Sequence, residues 1–205
     1  MTPVAFLDAS VLYPSTIRSV LMFLAAFDTF RAHFWLLLWG KPQRNGRKTL
    51  IASGRRRWRA PRFHGIWPDL DAKRIARTRA LMEAHLPNAM VTGYQRRIAS
   101  LVLPDPNDRH VLAAALHCKA DVIVTTNWKH FPKAVLSSHG ISAQHPDDFV
   151  CDLIVADRDR AVLAFAADRA RMVNPPHTVA EYIAGVEAGG LAKSAAMLLA
   201  VADRL

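Results

Sequence analysis

Short apolar runs alternate along the chain with longer stretches in which apolar residues recur at helical spacing. Residues 4–7 form the first apolar run, which predicts a strand. The apolar-rich stretch from a candidate helix cap at Ser15 to about Phe30 predicts a helix after it. Helical spacing resumes from Asp69 and stops at Pro87, which predicts an amphipathic helix. Residues 89–92 are a candidate short strand.

The same alternation continues further along the chain. Residues 101–103 lead into a turn at 104–108, from which a helix is predicted through His117. Residues 121–125 predict another strand, and 140–143 predict a last edge strand. Short strands that alternate with helices favour a parallel sheet covered by helices, so the predicted fold class is α/β.

The C-terminal part has a different pattern, because apolar residues recur at helical spacing from about Pro146 to the end. Breaks at 174–176 and 189–190 divide this stretch into helices. At 205 residues the chain has room for one well-buried domain and a small appendage. We therefore predict a main domain over residues 1–148 and a C-terminal helical extension over 149–205.

The N-terminal apolar run is interrupted by Asp8 and is followed by no small-residue cleavage site, so no signal peptide is predicted. The most apolar stretch, residues 17–39, contains three charged side chains and therefore lacks the uninterrupted length of a membrane span. These features predict a cytoplasmic protein with no membrane partner.

Four polar side chains are candidates for a common site. Asp8 follows the first predicted strand directly, Asp105 and Asp108 stand at the start of a predicted helix, and Asn127 follows the strand at 121–125. The carboxyl ends of parallel strands meet at one edge of the sheet, which would bring these residues together. The N-terminus of a helix favours the ionised form of a carboxylate. Mg²⁺ and Mn²⁺ take such oxygen ligands and can activate water for attack on a phosphodiester. The alternative is structural, with Asp105 and Asp108 as helix-start residues and Asp8 as a strand-end turn residue.

Several segments resemble PIN-domain proteins. They are residues 6–14 (FLDASVLYP), 103–115 (LPDPNDRHVLAAA) and 120–127 (ADVIVTTN), and the last of these, with Phe131, Pro132 and residues 144–147, is similar to the branch that includes VapC-type toxins. The resemblance covers roughly residues 3–35 and 69–150, in matching order. Each motif is weak alone, and the combination is specific.

The resemblance implies a three-layer α/β/α sandwich and a Mg²⁺- or Mn²⁺-dependent endoribonuclease that cleaves RNA. It implies the toxin component of a toxin–antitoxin system, with a small antitoxin protein as partner and a homodimer as a candidate assembly. By position, Asp8 is the acid of the first strand and Asp108 the acid that opens the late helix. Asp105 is the additional acid of this branch, and Asn127 stands where many PIN domains have a fourth Asp.

Residues 35–67 depart from the family pattern. The net charge of +10 is concentrated there, since nine of the 27 basic residues and no acidic ones lie between Trp35 and Trp67. The family has a further essential Glu in about the 40s, and this chain has none. One hypothesis is that the segment is translated out of frame. The other is a basic RNA-binding loop, in which Arg and Lys neutralise phosphates while Trp58 or Trp67 stacks on bases.

The sequence thus leaves two hypotheses of function open. In the first, a metal ion held by Asp8, Asp105 and Asp108 supports RNA hydrolysis. In the second, the chain is a catalytically weakened or inactive PIN-like module that binds RNA or a protein. The absent Glu and the uncharged Asn127 motivate this alternative, because fewer anionic ligands offset the cost of dehydrating Mg²⁺.

Overall fold

The computed structural model describes residues 2–35 and 72–205. Four parallel strands form one sheet within these residues, in the order β2-β1-β3-β4. They are β1 (Val4–Leu7), β2 (Arg31–Phe34), β3 (Val122–Val124) and β4 (Ser142–Gln144). The basic segment and both hypotheses about it lie outside the described residues except for Trp35, as does the region expected to carry the Glu.

The sheet is covered on both sides by helices. Those of the described residues before the C-terminal part are α1 (Ala9–Leu12), α2 (Ser15–Ala26), α3 (Ala72–His85), α4 (Gln95–Ile98), α5 (Arg109–His117) and α6 (Lys133–Ser137). The C-terminal part contributes α7 (Pro146–Ala156), α8 (Arg158–Ala170), α9 (Val179–Ala188) and α10 (Ala192–Leu199). Within the described ranges, three 3₁₀ helices lie at Pro106–Asp108, Trp128–His130 and Ala202–Arg204.

Successive side chains of β1 point into two different hydrophobic cores. Ala5 and Leu7 point into one core, which α2 and the C-terminal helices complete. Phe6, between them, points into the other core, where it joins Ile123 of β3 and the apolar face of α5. Since successive side chains of a strand face opposite sides of a sheet, β1 is buried on both faces. The predicted three-layer α/β/α arrangement is confirmed.

Most predicted elements have a counterpart in the structure. The strands predicted at 4–7, 121–125 and 140–143 correspond to β1, β3 and β4, and the helix that ends at His117 is α5. Residues 89–92 form only one isolated bridge, between Phe34 and Met90. Ser15 is the first residue of α2, so the cap position belongs to Pro14, which makes no side-chain cap. β2 was not predicted at all.

The C-terminal helices share the core of the sheet, with α8 packed along α2. The predicted break at 174–176 separates α8 from α9, and the glycines at 189–190 separate α9 from α10. Gly189 closely approaches α2, because a Cβ there would lie 2.6 Å from Cγ2 of Thr16. None of the helices in the described part of the chain has the length and apolar character that a membrane span requires.

Asp147 connects α7 to the beginning of α10. Its carboxylate accepts hydrogen bonds from the backbone N–H groups of Lys193 and Ser194, both at 2.9 Å, and from the Ser194 hydroxyl at 2.7 Å. Burial of Asp147 opposes its ionisation, but these hydrogen bonds outweigh burial and hold the pKa below its usual range. Asp147 therefore caps α10 from a neighbouring helix, because Leu191 at the cap position has no capping side chain.

We expect Asp147→Ala to lower the free energy of unfolding by about 1.5–3 kcal/mol, because three donors, two of them buried, lose their acceptor. Because the pKa of Asp147 is lower in the folded protein, its contribution to stability is complete above the ordinary Asp pKa of about 3.9. That contribution is lost as the pH falls through the lower pKa of the folded protein. Urea unfolding at pH 7 and at decreasing pH measures both effects. The matched control is Asp148→Ala, whose ion pair with Lys193 is exposed. Equal stability of the two variants would contradict this prediction.

Candidate active site at the carboxyl edge of the sheet

Asp8 lies where β1 ends and α1 begins, and it is only 8% exposed. One carboxylate oxygen accepts the backbone N–H of Ala9 at 2.7 Å. The other accepts the hydroxyls of Ser10 and Thr125, both at 2.8 Å. The backbone N–H of Asp8 donates to the Val124 carbonyl at 3.0 Å, so the residue is also fixed to the end of β3. Asp8 is thus a buried carboxylate with a well-defined position.

Asp105 and Asp108 flank the 3₁₀ turn that precedes α5. Oδ1 of Asp105 accepts the backbone N–H of Asn107 at 2.8 Å, which caps this turn. The carboxylate of Asp108 accepts instead from Nδ1 of His130 at 2.7 Å. His130 ends the short helix Trp128–His130 that follows β3, so this contact joins two loops at the same edge of the sheet.

Asp8 and Asp105 lie near enough to Asp108 for their charges to affect its ionisation. Burial raises the pKa of Asp108, and the negative charges of Asp8 and Asp105 raise it further, while the hydrogen bond with His130 acts in the opposite direction. The charges of Asp8 and Asp105 therefore make ionisation of Asp108 more costly. The structure brings the three predicted aspartates to the same edge of the sheet, where a cation would offset the effect of the Asp8 and Asp105 charges on Asp108.

His110, on the first turn of α5, is 3% exposed and packs against Trp35, with ring centroids 4.1 Å apart. Burial lowers the pKa of His110 to about 4, although its hydrogen bond with the Asn107 carbonyl and the charges of Asp8 and Asp105 act against this shift. The imidazole is neutral at pH 7, and its Nδ1–H donates to that carbonyl. His110 therefore supports the turn that carries Asp105 and Asp108.

Asn127 follows β3, as the sequence predicts, and Thr125 stands directly after the last residue of that strand. The Thr125 hydroxyl holds Asp8, and it also accepts the backbone N–H of Asn127 at 3.0 Å. Asn127 itself is exposed and begins the Trp128–His130 helix. Its predicted contribution of an oxygen ligand stays a prediction.

The sequence prediction did not include Ser10 and His130. The Ser10 hydroxyl bonds to Asp8, lies 3.2 Å from the Thr125 hydroxyl, and accepts the Thr126 backbone N–H at 3.1 Å. A hydroxyl two residues after a strand-end acid is a signal that could have identified Ser10. His130 has no such signal, because its contact with Asp108 spans 22 residues.

The donor set fits a divalent metal ion. Asp105, Asp108 and His130 each offer a ligand atom, and these atoms all lie within 4.8 Å of one another. Asp8 lies near enough for its charge to raise the pKa of Asp108. Carboxylate oxygens and imidazole nitrogens are common ligands of first-row divalent metals. The membership of Asp8 in the ligand set stays a prediction.

A parallel α/β/α sandwich with acids grouped at the carboxyl edge of its sheet is the arrangement of a PIN-like domain. Comparison with known proteins agrees. A family model described as the VapC50 C-terminal domain matches residues 146–200. Over 97 residues the chain is 40% identical to a protein of Mycobacterium tuberculosis named "Putative ribonuclease VapC50". That match covers 45% of this chain and 56% of the relative, so the chain spans little more than half of the relative's length.

No solved structure matches the chain. The fold, the arrangement of the acids and the two sequence matches together support the resemblance to VapC-type PIN-domain proteins. The family model begins at Pro146, where α7 begins, close to the predicted boundary between residues 148 and 149. That boundary stays a proposal, because the C-terminal helices share one core with the sheet.

Proposed function

We propose that the protein is a metal-dependent endoribonuclease that acts as the toxin of a toxin–antitoxin pair. The observation that carries this proposal is the grouping of Asp8, Asp105 and Asp108 at the carboxyl edge of a parallel sheet. The name of the mycobacterial relative supports the same activity class. A small antitoxin as partner, and a homodimer, follow from the same family proposal.

Each acid has a distinct part in this mechanism. Asp8 is held by the Ser10 and Thr125 hydroxyls, so its carboxylate would keep its position when a substrate binds. Asp105 and Asp108 approach from the start of α5 and supply the remaining carboxylates. A bound Mg²⁺ or Mn²⁺ would supply positive charge for the phosphate. It would also lower the pKa of water, so that hydroxide is available to attack the phosphate. The three aspartates would hold this ion at the carboxyl edge of the sheet.

The surface beside the acids suits an RNA chain. Trp128 is 52% exposed and directly follows Asn127, so its ring is available for stacking on an unpaired base. The ammonium of Lys129 lies 5.8 Å from the Trp128 ring centroid and is exposed, which places a positive charge where a phosphate would pass. Stacking together with phosphate contacts is typical of single-stranded RNA recognition. The proposed substrate is therefore single-stranded RNA.

The test is cleavage of a random-sequence RNA pool by the purified chain, before and after metal is removed with EDTA. We expect cleavage to stop without metal and to return with Mn²⁺. Asp105→Asn keeps the acceptor for the Asn107 N–H but loses one charge, so cleavage should fall at least about tenfold. Asp148→Asn, a surface change on α7, is the matched control and should leave the rate unchanged.

Two outcomes would contradict the proposal in different ways. Cleavage that persists in EDTA would exclude a metal-dependent mechanism. Mn²⁺ binding by calorimetry without any RNA cleavage would instead favour the catalytically inactive PIN-like module.

A further inference from the structure

We propose that His130 is a metal ligand of this site together with Asp105 and Asp108, and that its nitrogen makes the site prefer Mn²⁺ to Mg²⁺. This inference rests on the proposed function, because it refines the ligand set of the same acidic site. Ligand atoms of the three residues lie within 4.8 Å of one another. The present contact between Nδ1 of His130 and the Asp108 carboxylate, at 2.7 Å, already places the imidazole against a metal-binding oxygen.

Local structure holds His130 in this position. Its backbone N–H donates to the Asn127 carbonyl at 2.9 Å, which closes the short helix Trp128–His130. The next residue, Phe131, is 3% exposed and belongs to the core beneath α5. His130 is therefore held between a hydrogen-bonded turn and a core residue, although 47% of its own side chain is exposed. A backbone held in this way loses little conformational entropy when the imidazole binds a metal ion.

The donor type determines which ion the site favours. Mg²⁺ requires near-ideal octahedral oxygen coordination and loses its water reluctantly. Imidazole nitrogen suits first-row transition metals, whose affinity for a mixed nitrogen and oxygen site rises from Mn²⁺ through Fe²⁺ and Co²⁺ to Ni²⁺. Two carboxylates and one imidazole therefore bind Mn²⁺ better than Mg²⁺. The nitrogen also adds a donor to a site whose sequence lacks the expected Glu and has Asn127 at the fourth acidic position.

The competing explanation is that His130 only donates a hydrogen bond to Asp108 and helps to position it. In that case the metal would be bound by oxygen alone, and loss of the imidazole would weaken Mg²⁺ and Mn²⁺ binding by similar factors. Direct nitrogen ligation predicts a selective loss, because only the ion that uses the nitrogen donor well is affected. The two explanations therefore differ in the ratio of the two affinities.

The experiment uses the full chain, freed of metal and titrated separately with Mn²⁺ and Mg²⁺ by calorimetry. We expect the wild type to bind Mn²⁺ at least about tenfold more tightly, and His130→Asn to lose about tenfold in Mn²⁺ affinity with less than about a threefold change for Mg²⁺. The matched control is His139→Asn. This exposed histidine precedes β4 at the opposite edge of the sheet and should behave as wild type.

Pulsed electron paramagnetic resonance of the Mn²⁺-loaded protein provides a readout that is independent of catalysis. A directly bound imidazole gives a nitrogen coupling, which should be present in wild type and His139→Asn and absent in His130→Asn. A wild-type spectrum without that coupling, or a coupling that survives in His130→Asn, would overturn the inference whether or not the variant binds metal tightly. RNA cleavage with normal Mn²⁺ dependence in the same samples would leave the proposed function standing. Absence of both Mn²⁺ binding and cleavage in wild type would overturn both proposals.

Discussion

Asp8→Asn is expected to reduce RNA cleavage at least about a hundredfold while the fold is retained. The substitution removes one negative charge from a group of three, so the affinity for a divalent cation and the orientation of the attacking water are both weakened. The amide oxygen can still accept the Ala9 N–H, and the Ser10 and Thr125 hydroxyls can turn to suit the new group. The loss should therefore concern chemistry much more than stability.

Initial rates on a random-sequence RNA pool at saturating Mn²⁺, with thermal unfolding of the same samples, measure this prediction. The matched control is Asp121→Asn, at the opposite end of the sheet, where the carboxylate of Asp121 accepts the Val4 N–H at 2.8 Å. That variant should keep wild-type cleavage. Full activity of Asp8→Asn, or an equal loss in Asp121→Asn, would refute the assignment of Asp8 to the site.

The sequence predicts best those elements whose own residues indicate how they are buried. β1 and β3 are continuous apolar runs, as expected of strands that are buried on both faces. β2 could not be recognised in the same way, because its alternation of Arg31 and His33 with buried Ala32 and Phe34 covers only four residues and follows the apolar helix α2 after a short gap. The pattern of β2 became interpretable only once its pairing with β1 was known.

The site divides along a similar line. Asp8, Asp105 and Asp108 stand next to strand ends or helix starts, so the sequence alone predicted that a parallel sheet would bring them together. His130 depends on a side-chain contact between two loops that are distant in sequence. Residue spacing carries no information about that contact, whereas Ser10 and Thr125 stand next to strand ends. The predicted role of Asn127 depends equally on where an exposed side chain turns, and it therefore stays a prediction.

Asp168→Ala should have the largest effect on stability, lowering the free energy of unfolding by about 3–5 kcal/mol. Asp168 lies on α8, is 1% exposed, and accepts hydrogen bonds from three directions. Tyr182 of α9 donates at 2.9 Å, Arg171 Nε donates at 2.8 Å, and the Ser19 hydroxyl of α2 donates as well. Removing this carboxylate would leave the buried Tyr182 hydroxyl without an acceptor and would leave Arg171 with the Ser19 hydroxyl in place of a charged partner. The carboxylate is therefore a main polar connection between the C-terminal helices and α2.

Urea unfolding of Asp168→Ala measures the loss of stability. Asp168→Asn keeps one acceptor oxygen, so it should lose less stability. It should remain folded even if Asp168→Ala does not. The control on the same helix is Asp159→Ala, because Asp159 is 82% exposed in its ion pair with Arg204 and should change stability by less than about 1 kcal/mol. RNA cleavage by folded Asp168→Asn should match wild type, since the network stands apart from the acids at the sheet edge. Unchanged stability of Asp168→Ala would show that the C-terminal helices are held to α2 by apolar packing alone. A folded Asp168→Asn that no longer cleaves RNA would show instead that these helices also control the active site.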